Sequence, residues 1–154
     1  MSIVPCLWFQ SDLKGALDRY TTLFPDSHVH SLERMGAMED EVWLAEWRMN
    51  GTGFRAISQR SGFVFNESMS LSVTCADQAE VDRYWDGLIA GGGEESNCGW
   101  LKDPWGLSWQ IVPQRLNELM ADPDPKRAAA ATQCMLGQHR IVIADLEAAA
   151  DAAS

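Results

Sequence analysis

From Val4 to Phe9 the chain is apolar and reads as a strand. Asp12 then stands where a helix N-cap belongs, and Leu13, Ala16, Leu17, Tyr20, Leu23 and Phe24 recur at helical spacing until Pro25-Asp26 ends them. Two extended segments follow, Val29 to Arg34 and Val42 to Met49. Asn50-Gly51 is a strong hairpin signal, and a fourth strand is predicted around Phe54 to Ser58. After Ser61-Gly62 the order begins again: strand Ser68 to Cys75, cap Asp77, helix Ala79 to Ile89, the break Gly91-Gly92-Gly93, short strands around Cys98 to Leu101, a turn at Asp103-Pro104-Trp105-Gly106 and strand Ser108 to Val112. A shift of 64 positions carries Leu7 onto Leu71 and Asp18-Arg19-Tyr20 onto Asp82-Arg83-Tyr84. One βαβββ unit has been duplicated. From Gln114 the strand signals stop, and helices are predicted over Gln114 to Met120, from Pro125 to a stop at Gly137, and over Ile143 to Ala152. The expected organisation is an α+β domain over 1–113, with modules 1–65 and 66–113, and a helical extension over 114–154. That extension is apolar enough to need cover, on its own domain or on a second subunit.

Composition narrows the function. The chain has 154 residues, 46% of them hydrophobic, and 22 acidic against 12 basic side chains for a net charge of −10. That content fits a globular chain, and no run of about 18 apolar residues suggests a membrane span. Without a Lys/Arg cluster, neither nucleic acid nor an anionic membrane is an expected partner, because phosphate contacts supply the affinity of such proteins. A small molecule or a second copy of the chain is expected instead. The start shows no basic, cleavable leader, which points to the cytoplasm, and Cys6, Cys75, Cys98 and Cys134 form no Cys-x-x-Cys pair and read as reduced thiols.

Several stretches carry a resemblance: Pro5-Cys6-Leu7-Trp8-Phe9, Phe65-Asn66-Glu67, Val81 to Trp85, and Cys98-Gly99-Trp100-Leu101-Lys102-Asp103 running into Gly106-Leu107-Ser108-Trp109-Gln110-Ile111-Val112-Pro113. Together they resemble the PhnB-like family of the vicinal oxygen chelate (glyoxalase and bleomycin-resistance) superfamily, nearly over the whole chain. The resemblance implies paired βαβββ modules with curved sheets around a concave cavity, commonly completed in a homodimer. Members often carry the label 3-demethylubiquinone-9 3-methyltransferase. The glycine-rich strand-to-helix turn of an S-adenosylmethionine site, in an alternating β/α chain, is not found here, so no such cofactor is expected.

Superfamily enzymes such as glyoxalase I hold a divalent metal with His, Gln or Glu from the first and last strands of each module. The resemblance puts those positions at Val4 and Ser68, and at Arg55 and Gln110. One amide and one cation do not replace two imidazoles and two carboxylates, so no catalytic metal is expected. His28 and His30 share a strand face but have no third ligand at a recognisable spacing.

The predicted fifth strand alternates Ser68, Ser70, Ser72 and Thr74 with Met69, Leu71, Val73 and Cys75. Its hydroxyl face is expected to line the cavity with Cys6 and Trp8 by the repeat and with Gln110 by alternation. Among the seven tryptophans, Trp43, Trp47 and Trp85 suit packing, Trp109 points away from the cavity, and Trp8 and Trp100 are the expected aromatic walls. Glu67, which the family motif holds beside the cavity, is the preferred base. Asp103 suits a turn that binds its own backbone, and neither Cys6 nor Cys98 has a His beside it in sequence to make a thiolate. The expected function is metal-independent binding of a small, planar or hydrophobic molecule, with or without a reaction; the alternative is a ligand-sequestering binder of the resistance type.

Overall fold

A computed structural model describes residues 3–35 and 41–153 as two compact units, divided after Phe65. In the first unit, β1 (Cys6–Phe9) leads into α1 (Leu13–Leu23), followed by β2 (His28–Arg34), β3 (Trp43–Met49) and β4 (Thr52–Ser58). The sheet order is β1-β4-β3-β2, with β1 parallel to β4 and the other pairs antiparallel. Leu7, Phe9, Ala45, Trp47, Phe54 and Ala56 point toward the buried face of α1, formed by Leu13, Ala16, Leu17 and Tyr20. Asp12 caps the helix by accepting from the Gly15 amide, and Asn50 and Gly51 both take positive φ, as a two-residue hairpin turn requires.

The second unit repeats the plan. Here β5 (Ser70–Cys75), α2 (Gln78–Ile89), β6 (Glu94–Glu95), β7 (Trp100–Lys102) and β8 (Ser108–Pro113) give the order β5-β8-β7-β6. Its core is α2 (Val81, Tyr84, Trp85, Leu88) against Cys75, Leu101, Trp109 and Ile111. Asp77 accepts from the Glu80 amide while the Glu80 carboxylate accepts from the Ala76 amide, so the two side chains close the helix start reciprocally.

Two of the strand boundaries that differ from expectation have a local cause. Asn66 accepts from both the Ser68 amide and its hydroxyl, and this local turn holds Ser68 out of the sheet, so β5 begins at Ser70. Cys98 (φ 60°) and Gly99 (φ 82°) are in the left-handed region, which breaks the extended backbone and delays β7 to Trp100.

The C-terminal helices α3 (Gln114–Met120), α4 (Pro125–Leu136) and α5 (Ile143–Ala152) belong to this second unit. Leu116, Leu119, Ala131, Ile141, Leu146 and Ala150 form their own core, with Val112 of β8 packed against it. The Gln78 side chain donates to the Ile141 carbonyl (3.0 Å) and accepts from the Ile143 amide (2.9 Å), while Arg140 ion-pairs with Asp82 and Asp86 of α2. The tail thus packs within the second unit.

Candidate functional site

Each sheet has one face on its helix and one turned away from it. In the first module the latter carries Cys6, Trp8, Leu44, Glu46, Arg55 and Ile57, as the pairs Cys6–Arg55, Trp8–Ile57, Glu46–Arg55 and Leu44–Ile57 require. Arg55 Nε lies 2.8 Å from Glu46 Oε1, so cation and carboxylate neutralise each other across the strands. Trp8 donates its indole N–H to the Gln59 carbonyl (3.1 Å) and packs edge-on against Phe63. Cys6 is exposed beside it.

In the second module, strand register lays two rows across β7, β8 and β5: Trp100–Gln110–Ser72 and Lys102–Ser108–Ser70. The two are linked diagonally, since Gln110 Nε2 donates to Ser70 Oγ at 2.7 Å. The amide is thereby oriented, and Trp100 stands next to it, partly exposed. Strand register puts Ser70, Ser72, Trp100 and Gln110 on one face. Ser68 lies outside that array, in its turn with Asn66.

Glu67 lies at the edge of the same module, its Oε1 2.6 Å from Lys102 Nζ. The hydrogen bond from Lys102 is the main cause that holds the Glu67 carboxyl below the usual carboxylate range, and the same contact raises the Lys102 ammonium. A carboxylate that releases its proton more readily is a weaker general base. Asp103 has a structural part: one carboxylate oxygen accepts from the Trp105 and Leu107 amides and the other from Trp109 Nε1, all within 3.0 Å, and the residue is buried. Trp109 therefore faces the helix side, and Trp85 likewise satisfies its indole N–H on Glu95. Burial pushes the Cys75 thiol up to about 12, which keeps it protonated.

Sequence reasoning passed over two members of this face. Lys102 lies two residues from Trp100 and so shares its side of β7, paired with Ser108, which alternation from Gln110 places there. Glu94 belongs to β6, whose two residues give too short a run for alternation to detect. In the first module a cleft of about 520 Å³ opens between the start of α1 and Leu32, Trp43 and Ser58. It lies on the helix side of that sheet, opposite Cys6 and Trp8.

The divalent-metal site implied by the fold does not suit these side chains. At the last-strand positions stand Arg55, already engaged with Glu46, and Gln110, whose amide N–H is directed to Ser70. Val4 offers no donor and Ser68 is engaged by Asn66. Hard divalent cations need several oxygen or imidazole ligands with negative charge among them, and a guanidinium at a ligand position opposes that. Among the described residues, no group of three or more His, Cys, Asp or Glu is arranged to hold a metal, and His28 and His30, whose rings meet edge-on, sit at a bulge of the exposed strand β2. An S-adenosylmethionine site fits no better. The turns between β1 and α1 and between β5 and α2 contain no glycine, so neither offers the close backbone approach that such a site uses.

The family described as 3-demethylubiquinone-9 3-methyltransferase matches residues 1–112 of this chain. No curated protein matches it. Among solved structures, a PhnB protein from Bacillus cereus, itself described as a 3-demethylubiquinone-9 3-methyltransferase, is 28% identical; the match covers 73% of this chain and 99% of that one, with a TM-score of 0.66. The fosfomycin resistance protein FosX from Mesorhizobium loti shares the fold at 12% identity, with 79% and 98% covered and a TM-score of 0.57. FosX from Listeria monocytogenes, complexed with Mn(II) and sulfate ion, does so at 12% identity, with 71% and 89% covered and a TM-score of 0.54. The repeated βαβββ order, the first-to-last parallel pairing in both sheets and the matched span together establish that this chain belongs to the PhnB-like, 3-demethylubiquinone-9 3-methyltransferase family of the vicinal oxygen chelate fold.

Proposed function

We propose that this chain is a metal-independent, small-molecule-binding protein that works as a homodimer and holds its ligand on the sheet face formed by Ser70, Ser72, Trp100 and Gln110. The observation that carries this reading is the Gln110–Ser70 hydrogen bond beside Trp100. It fixes a few polar groups against an aromatic wall, the combination that orients a small ligand. Cys6 and Trp8 offer the equivalent face of the first module. Glu67, ion-paired and held in its charged form, favours holding a ligand over abstracting a proton from it.

A thermal-shift screen of planar and aromatic small molecules tests the reading. A ligand at about a hundred times its Kd adds roughly 2.7 kcal/mol and should raise the melting temperature by about 5 °C or more. Trp100→Ala should abolish that rise while leaving the fold intact; a rise that survives the substitution would put the ligand elsewhere. Metal independence has its own test. Purified protein is expected to carry far less than one divalent ion per chain, and EDTA should leave its melting temperature unchanged. Stoichiometric metal whose removal lowers the melting temperature would overturn that part.

Support for the dimer comes from exposed apolar side chains: Phe63 is 65% and Val64 74% exposed in the first module, and Leu136 is 54% exposed in the second. Surface of that kind favours pairing. Light scattering over a dilution series is expected to give twice the 17.1 kDa chain mass. A species that stays at the single-chain mass at micromolar concentration would exclude the dimer.

A further inference from the structure

The cleft of about 520 Å³ in the first module has apolar walls, Leu13 at the start of α1, Leu32 of β2 and Trp43 of β3, with Ser58 of β4 among them. Cavities of this size hold small organic molecules. Strand register explains the grouping, since Trp43 and Phe9 both stand opposite Ser58 and Leu32 stands opposite Ala45, which sets all of them on the side of the sheet that faces α1. Ser58 is 4% exposed, and its hydroxyl makes no hydrogen bond among the described residues. The sealed side-chain atoms without a partner among those residues are Trp47 Nε1 and Ser108 Oγ, so Ser58 Oγ keeps an opening, and the space it borders is this cleft. Buried hydroxyls are nearly always paired, so a ligand oxygen suits this one.

The second module shows what fills the corresponding corner. Counted from the hairpin glycines Gly51 and Gly106, the pair Ala45–Ala56 corresponds to Gly99–Ile111, and against Gly99 lies the fully buried Ile141 of the C-terminal segment. Gln78, the first residue of α2, donates to the Ile141 carbonyl at 3.0 Å. An apolar side chain with one hydrogen-bonded neutral oxygen thus packs beside the helix start. The tail that supplies it belongs to the second unit.

From this correspondence we infer that the cleft of the first module is a second binding site, which takes a small uncharged molecule with an apolar, ring-sized body and one hydroxyl or carbonyl oxygen. The body packs on Leu13, Leu32 and Trp43, and the oxygen pairs with Ser58 Oγ. A charged group would lose its hydration against these walls with one hydroxyl to replace it. The ionic residues stand exposed at the rim: Lys14 is paired with Asp18, Glu41 with Arg34, Asp12 caps α1, and Arg60 is open to water. This site is separate from the sheet face of the second module and does not rest on it.

Four probes of similar size test the inference, p-cresol, toluene, benzoate and benzylammonium, titrated into the full-length protein labelled with nitrogen-15. The readout is the Trp43 indole N–H resonance, assigned by its loss in Trp43→Phe. The expected result is a saturable shift with p-cresol, about fivefold tighter than toluene, as one net hydrogen bond gives, with benzoate and benzylammonium weaker still. Ser58→Ala, which removes a hydroxyl that has no partner in the fold, should bring p-cresol down to the affinity of toluene and leave toluene unchanged. Equal or tighter binding of benzoate or benzylammonium would overturn the uncharged class, and p-cresol binding that ignores Ser58→Ala would overturn the role of the hydroxyl. No response of Trp43 to any probe in folded protein would overturn the site. A shift of the Trp100 indole in place of Trp43 would do the same, while supporting the sheet face as the ligand surface.

Discussion

Asp103→Ala is expected to destabilise the second module by about 3–5 kcal/mol, among the largest losses for any single polar substitution in this chain. The Asp103 carboxylate serves two backbone amides, of Trp105 and Leu107, and the Trp109 indole N–H, and it is only 3% exposed. Alanine would leave three donors without their acceptor, and the buried indole cannot turn to water. Charge contributes as well, because hydrogen bonds to an ionised acceptor are about twice as strong as neutral ones. Asp103→Asn, which keeps one acceptor oxygen, should therefore lose less than alanine. Urea denaturation followed by tryptophan emission and far-UV circular dichroism measures this as a lower midpoint at unchanged slope. A midpoint within about 0.5 kcal/mol of wild type would mean that the turn and strand β8 hold without the carboxylate. The consequence reaches the site, since the same strand carries Gln110 and Ser108.

Gly99→Ala is expected to cost about 2–4 kcal/mol and to lower the melting temperature by roughly 5–15 °C. Gly99 has φ 82°, where an L side chain is strained by about 1–2 kcal/mol. A Cβ there would lie 2.7 Å from the Ile111 carbonyl oxygen and 3.2 Å from Ile141 Cγ1, and the first of these atoms is backbone that cannot swing aside. The contact is close because the Gly99 carbonyl accepts from the Ile111 amide at 2.7 Å while its own amide donates to the His139 carbonyl at 2.8 Å. Gly99 thus joins strand β8 to the segment before α5. Amide exchange should speed up from Ile141 onward in the variant, and an unchanged melting temperature with unchanged exchange would show that the tail is held without the close approach at Gly99.

Elements whose boundaries depend on neighbouring residues were legible in the chain. Helices α3 and α5 begin and end where their patterns do, Asp12 and Asp77 cap as their positions suggest, and the Asn50-Gly51 hairpin takes the positive φ values that only such residues accept readily. Alternation also sorted the serines of β5 onto one face and Trp109 away from Gln110, because a strand's period of two leaves little freedom. Where a side chain competes with the backbone, pattern misleads. Ser68 fits a strand by alternation, but Asn66, two residues away, offers its hydroxyl and amide a local acceptor.

By itself the amino-acid sequence determined the duplicated βαβββ plan, the helical tail, the family and the face on which the polar and aromatic residues of the second sheet stand, since all of these follow from short-range periodicity, capping and repetition. Tertiary structure alone decided the rest. Gln78 meets Ile141 and Ile143 across 63 and 65 residues, Lys102 meets Glu67, Arg55 is taken up by Glu46, and Ser108 is buried without a partner. Each of these depends on which distant segment arrives beside a given side chain, and charge neutralisation and burial are properties of that neighbourhood, which a residue's own type does not reveal.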